Sequence, residues 1–225
     1  MEYNIQNSFI EIKSTKNVNL QQNINKFIAF SSINPQLFNN GNYNVASNTF
    51  TFNQNDNSFN SNFQTNRIII NFNNQPQKID TIIENITNIL TVVFSQGIYS
   101  HFNRVGIRIY IGYAYKSAKE INNIIKDKFL NMENLNKISD NIENLGIRFS
   151  TTINDFKVNC GFNPGVSQEL KLENGVISNV KKTDYLILDL DLYKEGSLSS
   201  DDILKFCKDT KNNMQIIINK VERIL

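Results

Sequence analysis

The stretch 99-YSHFNRVGIRIYIGYAY-115 is the clearest predicted β-strand of the chain. Successive side chains of a strand point to opposite faces, so alternate positions form two chemically different sets. The apolar set is Val105, Ile107, Ile109 and Ile111. The polar set is Arg104, Gly106, Arg108 and Tyr110. One face of this strand is therefore predicted to pack in a core, and the other presents two guanidinium groups.

A second stretch, 185-YLILDLDLY-193, alternates in the same way but carries the opposite charge. Its leucines fall on one face, and Asp189 and Asp191 fall on the other. We expect these carboxylates to face Arg104, Arg108 or Arg148 across strands of one sheet, because such pairs stabilise a sheet by roughly 0.2–1 kcal/mol each. The predicted shared polar face comprises Arg104, Arg108, Tyr110, Arg148, Asp189 and Asp191.

The remaining segments alternate between short strands and amphipathic helices. Strands are predicted at Ser8–Lys13, Tyr43–Phe52, Thr65–Phe72 and around 156–162, with 52-FNQNDNSFNSN-62 as a loop and Asn174-Gly175 as a hairpin turn. Apolar stripes at helical spacing predict helices over Leu20–Ile28, from Gln75-Pro76 to Val93, from Ser117 to Phe129, over Leu135–Leu145, and from Ser199 to Leu225. Ser117 and Ser199 have capping-box spacing, and the helix after Pro76 is expected to cover the central strand.

These elements predict an α+β protein with a largely antiparallel sheet, or sheets, backed by amphipathic helices. We expect a single domain over residues 1–225. Two loosely similar halves, 1–134 and 135–225, are suggested by the repeated Gly-Ile-Arg step at Gly106 and Gly146.

Composition bounds the class of protein. The cysteines, Cys160 and Cys207, lie far apart in sequence, which predicts reduced core residues of a cytoplasmic protein. A secretion signal and a membrane span are not predicted, because the apolar runs are short. Asparagine makes up about a sixth of the chain, and the net charge of +2 is too small to indicate nucleic acid by itself.

Enzyme motifs are scarce. His101 is the single histidine, which leaves no multi-histidine metal site. The sequence also lacks the GxSxG nucleophile elbow and the GxxxxGK[ST] and GxGxxG phosphate loops. We therefore expect no cofactor. We favour the hypothesis that the chain is a non-enzymatic protein that binds another macromolecule, and we expect this partner to be a protein.

Two alternatives remain. Asp189 and Asp191 project to one side, as a Mg²⁺ or Mn²⁺ site for phosphoryl or nucleotidyl transfer requires, and Glu195 or Asp184 could add a ligand. In the second alternative, Arg104, Arg108 and Arg148 with Tyr110 bind RNA weakly, since RNA-binding sheets combine basic and stacking residues.

The order of elements resembles a sporadically distributed, uncharacterised family of prokaryotic proteins of similar length. The matching residues are 104-RVGIR-108 and 186-LILDLD-191, followed by the helix from Ser199. The resemblance implies the α+β fold, and it is the basis for expecting an accessory component of a prokaryotic or mobile-element, defence-like system. It implies no activity.

Overall fold

The computed structural model describes residues 3–53, 59–73, 78–130, 145–173 and 176–225, with backbone only at 73, 169–173 and 176–180. The strands are β1 (Tyr3–Ser14), β2 (Asn42–Asn44), β3 (Thr49–Asn53), β4 (Phe59–Gln64), β5 (Arg67–Asn73), β6 (Phe102–Tyr115), β7 (Ile147–Ile153), β8 (Phe156–Glu173) and β9 (Val176–Leu198). The helices are α1 (Ile24–Ile33), α2 (Ile79–Ser95), α3 (Ala118–Phe129) and α4 (Ser200–Glu222). The predicted α+β class is confirmed.

All nine described strands form one sheet in the order β2-β3-β4-β5-β1-β6-β9-β8-β7. Every neighbouring pair is antiparallel. The predicted central strand, β6, pairs with β1 on one side and with β9 on the other. The aspartate strand is therefore the direct neighbour of the arginine strand.

The chain repeats one order of elements. In the first unit, β1 is followed by α1, strands β2 to β5 and α2. The last of these strands, β5, pairs with β1. In the second unit, β6 is followed by α3, strands β7 to β9 and α4. The last of these strands, β9, pairs with β6. This order divides the chain between α2 and β6, whereas the sequence placed a possible division after residue 134, outside the described residues. The Gly-Ile-Arg steps lie at β6 and β7 of the second unit, so they do not mark the repeat.

Several predicted boundaries are wrong: the first strand begins at Tyr3, before the predicted Ser8, and the first helix runs to Ile33, past the predicted Ile28. Two further differences have local reasons. The segment 43–52 is a hairpin rather than one strand, because Asn48 adopts a left-handed φ of 46° in a turn between β2 and β3. The segment 52–62, predicted as a loop, contains the last two residues of β3 and the first four of the six residues of β4. Along β4, Phe59, Ser61 and Phe63 alternate into the core. Three further predictions fall partly or wholly outside the described residues: the opening at Gln75-Pro76, the helix over Leu135–Leu145 and the Asn174-Gly175 turn.

The helices pack on one face of the sheet. α4 contacts β6 and β9, and α3 contacts β6, β8 and β9. α2 lies beside α4 and reaches β6 where Phe94 packs on Phe102, with ring centroids 5.2 Å apart. The predicted apolar stripe of α2 is buried throughout. The two helix starts with predicted capping-box spacing are both capped. Ser199 and Asp202 form a reciprocal capping box, and Ser117 accepts a hydrogen bond from the amide of Glu120.

Within the described residues, no helix combines the length and the apolar character needed to cross a bilayer.

Aromatic packing holds α1 on the sheet. The ring of Phe27 lies 4.8 Å from that of Phe50 and 5.2 Å from that of Phe63, measured between centroids. Phe27 is fully buried, whereas the adjacent Ile28 is 56% exposed, although the sequence had placed both on one helical side. The second buried aromatic of α1 is Phe30.

Phe27 and Ile28 provide a matched pair for testing this packing. We expect Phe27→Ala to lower the free energy of unfolding by about 3–5 kcal/mol, because it opens a cavity in the aromatic cluster. Ile28→Ala should change it by less than about 0.5 kcal/mol, because the side chain is largely solvated. Urea unfolding curves measure both, and similar losses would contradict this account of α1.

The two cysteines are reduced and buried, Cys160 on β8 and Cys207 on α4. Burial raises the pKa of each thiol to about 12. Because the thiolate is the reactive form, we expect neither to react with a thiol-specific chromogenic reagent at pH 8 until the protein is unfolded. Rapid stoichiometric labelling of the folded chain would contradict this burial.

Candidate functional site

The face of the sheet opposite the helices carries the predicted polar residues, and we call it the open face. Register places Tyr110 opposite Asp189 and Arg108 opposite Asp191 on β9. Asp189 in turn lies opposite Gly161 of β8, and Gly161 lies opposite Arg148 of β7. All six predicted residues therefore share this face, as the two-residue periodicity indicated.

Asp189 is the centre of the first ion-pair group. Arg108 donates from Nε to Oδ1 at 2.7 Å and from a terminal nitrogen to Oδ2 at 2.6 Å, a bidentate arrangement. Arg148 adds a longer contact of 3.4 Å to Oδ2. Asp189 is only 6% exposed, and together with Gly161 it lines a small depression in the surface. The hydrogen bonds to Asp189 raise the pKa of Arg108 further above its usual range, against the opposing effect of burial.

Glu11 of β1 is the centre of the second group. Its carboxylate accepts a hydrogen bond from Arg104 at 2.6 Å, and it lies 3.3 Å from Arg67 and 3.6 Å from Lys13. Arg104 approaches Asp191 only to 4.0 Å. The expected pairing of arginine with aspartate is thus confirmed for Arg108 and Arg148, whereas the main partner of Arg104 is Glu11.

Sequence reasoning missed the role of Glu11. In the predicted first strand, Glu11 lies on the same face as Phe9 and opposite the face of Ile10 and Ile12. The sequence therefore places its carboxylate on the face away from these isoleucines. Its register opposite Gly106 follows only from the pairing of β1 with β6. Glu195, considered above as a metal ligand, instead pairs with Lys157 at 2.8 Å.

Two tyrosines stack against the arginines of the open face. The guanidinium carbon of Arg108 lies 5.1 Å from the ring centroid of Tyr110, and that of Arg104 lies 5.1 Å from the ring centroid of Tyr193. Burial is the main cause that raises the pKa of Tyr110. Tyr113 lies on the opposite, buried face, as its position in the alternation predicted. The arginines are therefore held both by carboxylates and by aromatic rings.

Amide side chains occupy the other part of the open face. Thr51 donates to Asn62 Oδ1 at 3.1 Å. Asn60 Oδ1 accepts from both Asn62 and Asn71, each at 2.9 Å. These residues lie on β3, β4 and β5, so three asparagines of this region form an ordered polar ladder across strands.

The two aspartates line a depression of about 70 Å³ together with Arg108, Arg148, Asn159 and Gly161. Asp191 accepts a 3.4 Å hydrogen bond from Asn159, and both oxygens of Asp189 already accept from Arg108. Asp184 is an even-numbered position of β9, so it belongs to the helix side of the sheet. Within the part of the chain that the structure describes, no group of three or more histidine, cysteine or carboxylate side chains could hold a metal ion.

The two arginines on Asp189 should differ in their effect on stability. We expect Arg108→Ala to lower the free energy of unfolding by about 1–3 kcal/mol, because it leaves a mostly desolvated carboxylate with one distant partner. Arg148 is 67% exposed, so Arg148→Ala should cost less than about 0.5 kcal/mol. Chemical denaturation at low and high salt measures both changes. Equal losses would show that Arg108 is not the principal partner of Asp189.

No protein-family model matches the chain, and no curated protein matches it. Among solved structures, the chain is similar to the Methanococcus jannaschii TBP, with 11% sequence identity over 100% of both chains and a TM-score of 0.34.

Proposed function

We propose that this chain is a non-enzymatic binding protein and that its open face contacts a partner protein. The observation that supports this proposal is the charge balance of the face. Its ion pairs join six cationic side chains to four carboxylates. A surface of this kind offers fixed hydrogen-bond donors and acceptors while its own charges are largely compensated.

The residue types also favour a protein partner. Tyrosine and arginine are enriched at the energetically important centres of protein interfaces, and here they are stacked in pairs at the middle of the sheet. Asp189 and Glu11 reduce the positive potential that a phosphate backbone would require. Weak RNA binding through Arg104, Arg108 and Arg148 is therefore less well supported than a protein contact.

The size of the depression supports a macromolecular contact in preference to an enclosed substrate. Pockets for small molecules usually have volumes of about 300–1,000 Å³, whereas the depression beside Asp189 holds about 70 Å³. A volume of this size accommodates a few waters or the tip of one side chain from a partner.

Affinity capture from a lysate of the source organism, with and without nuclease, tests this proposal. We expect the tagged chain to retain one protein in fixed stoichiometry, and the double variant Tyr110→Ala/Arg148→Ala to lose it. Glu84→Ala, at an exposed position of α2 on the helix side, is the matched control and should retain it. With the purified partner, calorimetry should give at least about a tenfold weaker Kd for the double variant, as expected when interface anchors are truncated.

Three results would contradict the proposal. The first is that the wild-type chain retains no specific protein, and the second is that the double variant binds as well as wild type. The third is that nuclease releases the retained protein. The last result would favour the RNA alternative.

A further inference from the structure

The two edges of the sheet are unequal. Edge strands expose unpaired backbone N–H and C=O groups, and proteins usually protect them by short length, charge, proline or bulges. β2, at one edge, has only three residues. β7, at the other edge, has seven residues, Ile147 to Ile153, and pairs with β8 without a register shift. It contains no proline or glycine, and Arg148 is its one charged residue.

The turn between β7 and β8 determines which backbone groups lie at this edge. Asn154 and Asp155 form a two-residue connection, and Ile153 is paired with Phe156. The closing pair of such a hairpin is hydrogen-bonded, and hydrogen-bonded and non-bonded pairs alternate along the strands. The N–H and C=O groups of Arg148, Ser150 and Thr152 therefore point away from β8. In the described ranges, no strand pairs with this edge.

We propose that β7 pairs antiparallel with β7 of a second copy of this chain, with Ser150 on the two-fold axis. This register uses all seven residues of the strand. It sets Arg148 opposite the partner subunit's Thr152, and Ile147 opposite the partner subunit's Ile153. Phe149, which is 45% exposed, lies opposite the partner subunit's Thr151.

The sequence of β7 suits self-pairing in this register better than in a register centred on Arg148. Centring the axis on Arg148 would place two guanidinium groups directly opposite each other, which destabilises a sheet. The Ser150 register separates them and forms hydrogen-bonded pairs at three positions. A symmetric contact of this kind closes after two copies, as in most homodimers. Since paired residues share a face, the open faces of both copies lie on the same side of the enlarged sheet.

The oligomeric state tests the inference. We expect light scattering after size-exclusion chromatography to give about twice the 25.9 kDa of the chain. Ser150→Lys should elute as a monomer, because two ammonium groups would meet at the axis. Mixing Ser150→Lys with Ser150→Asp should restore a dimer of one copy of each. Ser47→Lys, in the exposed turn before β3, is the matched control and should remain dimeric.

A disulfide gives an independent measurement. The Cα atoms of a hydrogen-bonded antiparallel pair are about 5.5 Å apart, a separation that a disulfide spans. Mild oxidation should therefore convert Ser150→Cys to a covalent dimer and leave Ser47→Cys largely monomeric on a non-reducing gel. A wild-type chain that is monomeric at its highest soluble concentration would overturn the inference. So would a dimer that persists in Ser150→Lys.

Discussion

The pairing of β6 with β1 and β9 is the constraint on which the rest of this structure depends. On the helix side, these three strands present isoleucine, valine and leucine that are almost fully buried, including Ile10, Ile107 and Leu190. A slip of one residue in either pairing would turn the whole apolar set of one strand toward solvent. The burial of one face therefore fixes the register, and the register then fixes which side chains meet on the other face.

The open face follows from this constraint. Burial of the leucines of β9 aligns Asp189 with Tyr110 and leaves it within reach of Arg108. Burial of Ile10 and Ile12 of β1 brings Glu11 into reach of Arg104. The arginines thus acquire carboxylate partners from two different strands, one on each side of β6. The surface is consequently polar and ordered, and its six cationic side chains are paired with four carboxylates.

The two units of the chain use the same order of elements for different chemistry. The open face of the first unit carries the amide and hydroxyl ladder from Thr51 to Asn71, together with the ion pairs of Glu11 with Lys13 and Arg67. The face of the second unit carries most of the ion pairs. The open face therefore changes from neutral donors and acceptors on β3 and β4 to paired charges on the strands from β5 across to β7.

The sequence by itself determined the fold class, the apolar and polar faces of β6 and β9 and the stripes of α2 and α4, because each follows from a local period of two or of 3.6 residues. It also determined the caps at Ser117 and Ser199, because a cap depends on residues only three positions apart. It also predicted that Asp189 would meet an arginine, since opposite charges at matching periodicity favour pairing. Only the tertiary structure decided that Glu11 is the partner of Arg104, that Phe59 begins a strand, that Ile28 is exposed and that β7 lies at an edge. Those outcomes depend on strand order and on contacts between residues distant in sequence, and no local period encodes either of them.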